Sequence, residues 1–230
     1  MVKLQDAQPK VSVAILTWNR REHVLRAIES VLRQPYRPLE VVVVDSASND
    51  GTAKVIEELY PKVRLIRLHR NLGCPEGRNI AMANCNGEIL FCLDDDAWVD
   101  DDTIAKCVER FVNYPDVGII ACRVLPPGTS AQGEQEDVYT NRFSGGACAI
   151  RREVLEIVGY YPSDFHRQGE ESDLALRVLE AGYKILYVPS ATVFHVSTGP
   201  SKRSLIYLSC RNDLYTVVRR YPGLFVPVGF

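Results

Sequence analysis

Ile89-Leu90-Phe91-Cys92-Leu93-Asp94-Asp95-Asp96 is the stretch that decides the fold: five apolar residues in succession, then three carboxylates. A run this short and this continuously apolar reads as a strand buried on both faces, not as one face of an alternating sheet. The aspartates mark the point where such a strand leaves the core, at its carboxyl end.

The same pattern recurs upstream. Val11 to Thr17 is a β-branched strand running into Trp18-Asn19-Arg20, where Asn19 offers a helix N-cap with Glu22 three residues on. Val24, Leu25, Ile28, Val31 and Leu32 then share one helical face up to Pro35. Glu40 to Val44 is a strand ending at Asp45, and Thr52 to Tyr60 is a helix closed by Pro61. Val63 to Leu68 is a third strand, followed by a loop with Gly73 and Pro75 and a short helix through Ile80 and Ala83. After the aspartates, Ile104, Cys107, Val108, Phe111 and Val112 fall at helical spacing. Strands alternating with helices predict an α/β fold, a mostly parallel central sheet with helices on both faces. Ligands of such sheets bind beyond the carboxyl ends of the strands, and here those ends carry the polar residues.

Beyond Val117 to Val124 the alternation stops. Pro126 to Asp137 reads as an irregular loop and Phe143 to Ile150 as a strand with a glycine-opened start. Helices over Arg152 to Val158 and about Glu171 to Ala181 follow, then two short strands, Lys184 to Val188 and Thr192 to His195. Leu205 to Tyr221 reads as a last helix.

Composition narrows the function classes. The chain has 230 residues, 46% hydrophobic and 24% charged, with a formal net charge of -2. No apolar run is long enough to span a membrane, and the near-neutral balance argues against nucleic acid as a partner. Seven scattered cysteines without a C-x-x-C pair, several inside apolar segments, fit free thiols in a reducing compartment. The polar stretch Met1 to Lys10 lacks a signal-peptide core, so the expected location is cytoplasmic, or the cytoplasmic face of a membrane.

Three adjacent carboxylates repel one another without a counter-ion, and hard oxygen ligands of this kind suit Mg²⁺ or Mn²⁺ bridging to a phosphate. Capping the next helix is the competing explanation, but Asp100, Asp101 and Asp102 are available for that. His195 alone is an ordinary histidine unless the fold brings it to the aspartates. Gly169-Glu170-Glu171-Ser172-Asp173 opens a helix; its acids suit a positive helix N-terminus, and one of them facing a crevice also suits a general base. Asn71 to Asn79 brings glycines for tight turns to another strand end, with Arg78 able to pair with phosphate or with the acidic strand ends. It is not a G-x-G-x-x-G fingerprint, and the loop after the first strand has no glycine, which argues against a dinucleotide-binding dehydrogenase and a P-loop.

Together these residues resemble glycosyltransferase family two, the inverting, metal-dependent transferases of the GT-A fold. The resemblance rests on Thr17-Trp18-Asn19-Arg20, Val44-Asp45-Ser46 with Asp50-Gly51-Thr52, Asn71-x-Gly73 with Arg78-Asn79, Asp94-x-Asp96, Ser144-Gly145-Gly146, Gly169-Glu170-Glu171-x-Asp173-Leu174 and His195. It implies that Thr17, Asn19, Arg20, Asp45, Arg78, Asp94 and Asp95 bind a nucleotide-diphosphate sugar carrying UDP, dTDP or GDP. Asp96 and His195 would hold Mg²⁺ or Mn²⁺. Gly145, Gly146 and Glu170 would meet a glycan or lipid-linked acceptor, and Glu171 would be the base. The family's usual residue at that place is an Asp, so Glu170, Glu171 and Asp173 all stay open as the base.

The resemblance implies an N-terminal extension over residues 1–10 and a GT-A domain over 11–200, with a nucleotide-binding half to 124 and an acceptor-binding half from 125. Residues 201–230 would add a helix and an apolar tail. Thr198 to Arg203 reads as a solvated linker, with a basic loop over the diphosphate as the alternative. Arg211-Asn212 is similar to the rhamnosyltransferase-like branch. The tail after Arg219-Arg220 is a candidate for peripheral membrane contact or for packing back on the domain, and its abrupt apolar end suggests a chain that continues past Phe230. The competing functions are a sugar-1-phosphate nucleotidyltransferase and an inactive nucleotide- or glycan-binding module.

Overall fold

The structure is a computed structural model that describes residues 8–130, 136–196 and 202–220, the backbone alone for 202–206. Residues 1–7 of the extension, Thr198 to Ser201 of the linker and the tail from Tyr221 lie outside the described residues.

β1 (Val11–Thr17), β2 (Leu39–Asp45), β3 (Arg64–Arg67) and β4 (Ile89–Asp94) form a parallel block in the order β3-β2-β1-β4. They run side by side because the apolar stretches of β1, β2 and β4 are buried on both faces, with β3 at the half-buried edge. Alternate residues of each strand feed opposite sides. Val13, Val43 and Phe91 pack under α1 (Arg21–Leu32), α2 (Thr52–Leu59) and α4 (Thr103–Asn113), through Ile28, Ile56 and Phe111. Ala14, Val42 and Leu90 pack on the other face under α3 (Cys74–Ala83), α5 (Arg152–Val158) and α6 (Glu170–Glu180), through Met82, Leu155 and Leu174. Each of these large aliphatic side chains contributes roughly 1.5–3 kcal/mol of burial. Cys85, Cys92, Cys107, Cys122 and Cys148 are buried in these two layers as small apolar groups.

The second half makes the sheet mixed. β8 (Ala147–Arg151) inserts antiparallel between β4 and β6 (Val117–Leu125), and β6 pairs parallel with β9 (Lys184–His195). β9 is one strand where two were expected, because the irregularity between Val188 and Thr192 shifts register against β6 without ending the pairing. Two short strands escape the sequence reading, β5 (Ala97–Val99) and β7 (Val138–Thr140), each three residues long and each paired antiparallel to β9. The expected strand at Phe143 begins only at Ala147, since Ser144 to Gly146 turn instead. α7 (Lys202–Arg220) packs against α6. Among the described residues no helix is long and apolar enough to cross a membrane.

Asn19 does not cap α1. It takes a left-handed backbone, φ 52°, and its side chain accepts the Asn49 N–H at 2.8 Å. The first helical N–H, of Arg21, is met by Asp50, whose other oxygen accepts the Thr52 N–H at the start of α2. One aspartate from a neighbouring loop thus serves two helix starts.

At the amino ends of the parallel strands, Glu40 gathers Lys10 Nζ at 2.6 Å, the Ser12 hydroxyl and the Asn86 N–H at 2.5 Å. Burial opposes its ionisation, but these bonds outweigh it and hold the carboxyl at about 2. A depressed carboxylate stabilises above its unfolded value of about 4.5 and loses that contribution as pH falls through about 2. Glu40→Gln is therefore expected to cost about 2 kcal/mol at pH 7 and little at pH 2, checked by urea melts at both values; an equal loss at both would overturn the assignment.

Candidate active site

Register explains why the site lies where it does. Thr17 pairs with Asp45, and Leu16 with Asp94, so the polar residues after β1, β2 and β4 emerge within a residue of the same level. Of the carboxylates that follow β4, Asp95 and Asp96 are buried and Asp94 is partly exposed. Charge so placed needs partners.

Arg20 supplies them on one side. Its Nη1 donates to Asp95 at 3.0 Å and to Asp96 at 2.6 Å, while Thr17 Oγ1 donates to Asp95 at 2.9 Å. Burial nevertheless pushes Asp95 up to about 6, helped by Asp96 and Asp94 and opposed by Arg20 and Thr17. On the other side Arg78, buried on α3, is bonded to Asp94 through Nη2, with Nη1 at 3.6 Å from Glu171 and 3.8 Å from Glu170. Of the two pairings open to Arg78 from the sequence, the structure shows the one with the acidic strand ends: its guanidinium joins Asp94 to the start of α6.

β5 answers the question about His195. Pairing of Ala97 with His195, reinforced by Val196 N–H to Asp96 O at 3.0 Å, brings the imidazole Nε2 to 2.9 Å from Asp96 Oδ1 and 3.6 Å from Asp94 Oδ2. The bond to Asp96 raises the imidazole pKa, against the opposing effect of burial. Ligand atoms of Asp94, Asp96 and His195 all lie within 4.8 Å of one another, a donor set that fits a divalent cation. Asp94, expected on the sugar side, also lies in this cluster with Asp96 and His195.

β8 brings in the glycines. Asp94 N–H donates to Gly146 O at 3.1 Å, and a Cβ on Gly146 would collide with the Asp94 carboxylate. A Cβ on Gly145 would meet Arg78 and, at 2.6 Å, Glu171 Oε1, which instead accepts the Gly145 N–H at 3.2 Å. Both glycines are thus where a side chain would displace the charged groups, which the sequence motif alone does not reveal.

The three acids of α6 separate. Asp173 is buried and held by Arg177 at 2.9 Å and Arg220 at 2.7 Å. Glu170 is also buried, one oxygen without a hydrogen-bond partner among the described residues; burial and Glu171 push it up to about 7, with Arg78 pulling down. Glu171 is the one whose carboxylate is partly exposed, 26% for the side chain. Glu170, expected to meet an acceptor, lies beneath it.

Asp45 is buried and accepts the Ser48 N–H at 3.2 Å. An open cavity of about 360 Å³ runs from Arg20 along the start of α1, lined by Asn19, Arg21, Glu22, His23 and Asp50. Trp18, half exposed, follows Thr17 at the end of β1; a large apolar ring between two polar residues at a strand end was the available signal for it.

A mixed sheet of this order, with a carboxylate cluster at its strand ends and a second acidic centre beside it, defines a glycosyltransferase of the GT-A kind. The chain belongs to glycosyl transferase family 2, whose model matches residues 12–163. Membership sets aside the nucleotidyltransferase alternative. The chain is 27% identical over 217 residues to glucosyl-dolichyl phosphate glucuronosyltransferase of Haloferax volcanii, covering 81% of this chain and 69% of that one. It is 25% identical to N-acetylglucosaminyl-diphospho-decaprenol L-rhamnosyltransferase of Mycobacterium tuberculosis, over 96% of this chain and 87% of that one. Among solved structures, mannosyltransferase PcManGT from Pyrobaculum calidifontis in complex with GDP-Man and Mn²⁺ superposes with a TM-score of 0.75 at 25% identity, over 97% of this chain and 68% of that one.

The contact of Gly146 with Asp94 sets a test. Gly146→Ala is expected to displace that carboxylate and weaken Mn²⁺ binding at least tenfold by calorimetry, and undiminished affinity would show that Asp94 is dispensable for the ion.

Proposed function

We propose that this protein transfers a sugar from a nucleotide-diphosphate donor to an acceptor hydroxyl with inversion at the anomeric carbon, with Glu171 as general base. The observation that carries the reading is the pairing of two centres by one side chain: Arg78 bonds Asp94 of the cation cluster and lies 3.6 Å from Glu171. A donor diphosphate at the first centre and an acceptor hydroxyl at the second would flank one sugar carbon.

In this reading Glu171 takes the acceptor's proton as the hydroxyl oxygen bonds to the anomeric carbon and the bond from that carbon to the diphosphate oxygen breaks. The Gly145 N–H and Arg78 orient the carboxylate for that transfer. Asp94, Asp96 and His195 would hold the cation, and an imidazole among the donors favours Mn²⁺ over Mg²⁺. Bound there, the ion would serve as a Lewis acid toward the departing diphosphate. Thr17, Asn19, Arg20, Asp45, Arg78, Asp94 and Asp95 would supply the polar lining of the nucleotide side, Asn19 and Arg20 bordering the open cavity at the start of α1.

The relatives named for dolichyl phosphate and diphospho-decaprenol substrates support a lipid-linked acceptor, in polysaccharide or glycolipid assembly. The GDP-mannose complex supports a nucleotide-sugar donor without selecting GDP over UDP or dTDP.

Glu171→Gln is expected to lower transfer about 10²–10⁴-fold, measured as nucleoside diphosphate release, while the donor still raises the melting temperature. Asp96→Ala should instead abolish the Mn²⁺-dependent part of that thermal shift. Full turnover in the Glu171→Gln variant would remove the base assignment; an unchanged Mn²⁺-dependent shift in Asp96→Ala would remove the ion site.

A further inference from the structure

We infer that Asn212 is a positioning residue for Glu171, tying the turn ahead of α6 to α7; the inference rests on the reading of Glu171 as the base. Asn212 is wholly buried, and its amide nitrogen lies 3.1 Å from Phe165 O, 2.9 Å from Arg167 O and 2.5 Å from Gln168 O. Two amide hydrogens are shared among three carbonyls, so the group binds a converging backbone, not a single atom.

That backbone converges because it is strained. His166 and Gln168 have φ of 60° and 65°, values that side chains beyond glycine rarely take, and Gly169 follows at 84°. Such conformations persist where the surroundings over-determine them. Asn212 does so from one side, with its Oδ1 accepting Arg211 Nε at 2.9 Å while Arg211 Nη2 reaches Phe165 O at 2.7 Å. From the other side the Cys74 N–H donates to His166 O at 3.0 Å, at the start of the helix that carries Arg78.

The turn has no slack before the acids. Gly169 O accepts the Asp173 N–H at 3.3 Å, opening α6, and Glu171 stands two residues beyond Gly169. A Cβ on Gly169 would come within 3.0 Å of the Asn212 Cβ, so the turn leaves little room between the two residues. Arg220 repeats the tie one turn on, at Asp173. The direction of the Glu171 carboxylate therefore depends on α7, and misplacement of a reacting group by an ångström lowers rate far more than it lowers stability.

The test uses Asn212→Ala and Asn212→Asp, the latter keeping the shape while replacing the donors by acceptors. Hydrogen exchange is expected to quicken at least tenfold at Phe165, Arg167 and the first turn of α6, with β1 and β4 unchanged. Among UDP-glucose, dTDP-rhamnose and GDP-mannose, turnover of any donor the native protein uses should fall at least tenfold in kcat, while the Kd of the matching nucleoside diphosphate with Mn²⁺ stays within twofold. Adding Asn212→Ala to Glu171→Gln should lower kcat no further, because the two act as a unit. Leu214→Ala, on the exposed face of the same helix, should change none of these. Arg211→Met, which leaves the Asn212 amide in place, should give an intermediate rise in exchange if Asn212→Ala folds poorly. Unchanged exchange in the turn, a uniform rise across the sheet, or a kcat loss matched by lost nucleotide affinity would overturn the inference. Turnover kept by Glu171→Gln alongside faster local exchange in Asn212→Ala would instead overturn the base assignment and leave the tie standing.

Discussion

Carboxylates crowded at the end of a buried strand can stay ionised only where positive charge reaches them, and much of this molecule is arranged around that demand. Arg20 arrives from the loop after β1 and Arg78 from α3 on the opposite face of the sheet. Neither arginine is close enough to serve all three aspartates. The acids are therefore split into an Asp95–Asp96 group held from one side and an Asp94–Glu171 group held from the other, with His195 between Asp94 and Asp96. Burial pushes Asp95 up to about 6, against the opposing pull of Arg20 and Thr17.

The same accounting separates residues that look alike in the sequence. Glu170, Glu171 and Asp173 occupy one helical turn, yet Asp173 is consumed by two arginines and Glu170 is sealed under Arg78. Only the environment tells them apart. Glu171 is met by backbone on the facing turn: without a side chain at Gly145, its carboxylate has room to accept that residue's N–H.

How much can be read from the chain follows from the range of each interaction. The parallel block, its helices and the strand ends are legible because burial on both faces writes a continuous apolar signature into each strand. Asp96 with His195 is legible as a resemblance only. What joins them is β5, three residues whose identity as a strand comes from β9 and not from their own pattern. Asn19 reads as a cap because the competing partners, the Ser48 hydroxyl and Asp50 carboxylate as acceptors and the Asn49 N–H as donor, lie about thirty positions away along the chain. Arg78 is legible in part: an arginine in that glycine-bearing loop suits either phosphate or the acidic strand ends, and its contact with Asp94 is of the second kind, while its approach to Glu171 leaves no mark in the sequence.

The pairing of Ala97 with His195 also ties chemistry to the completion of folding. Asp96 and His195 are separated by 99 positions, and everything between them, including β6, β8 and α6, must find its place before the two can meet. A nascent chain that had assembled only its first four strands would own both aspartates but not the imidazole. The candidate cation cluster is therefore complete only where the long-range half of the sheet has closed on the first.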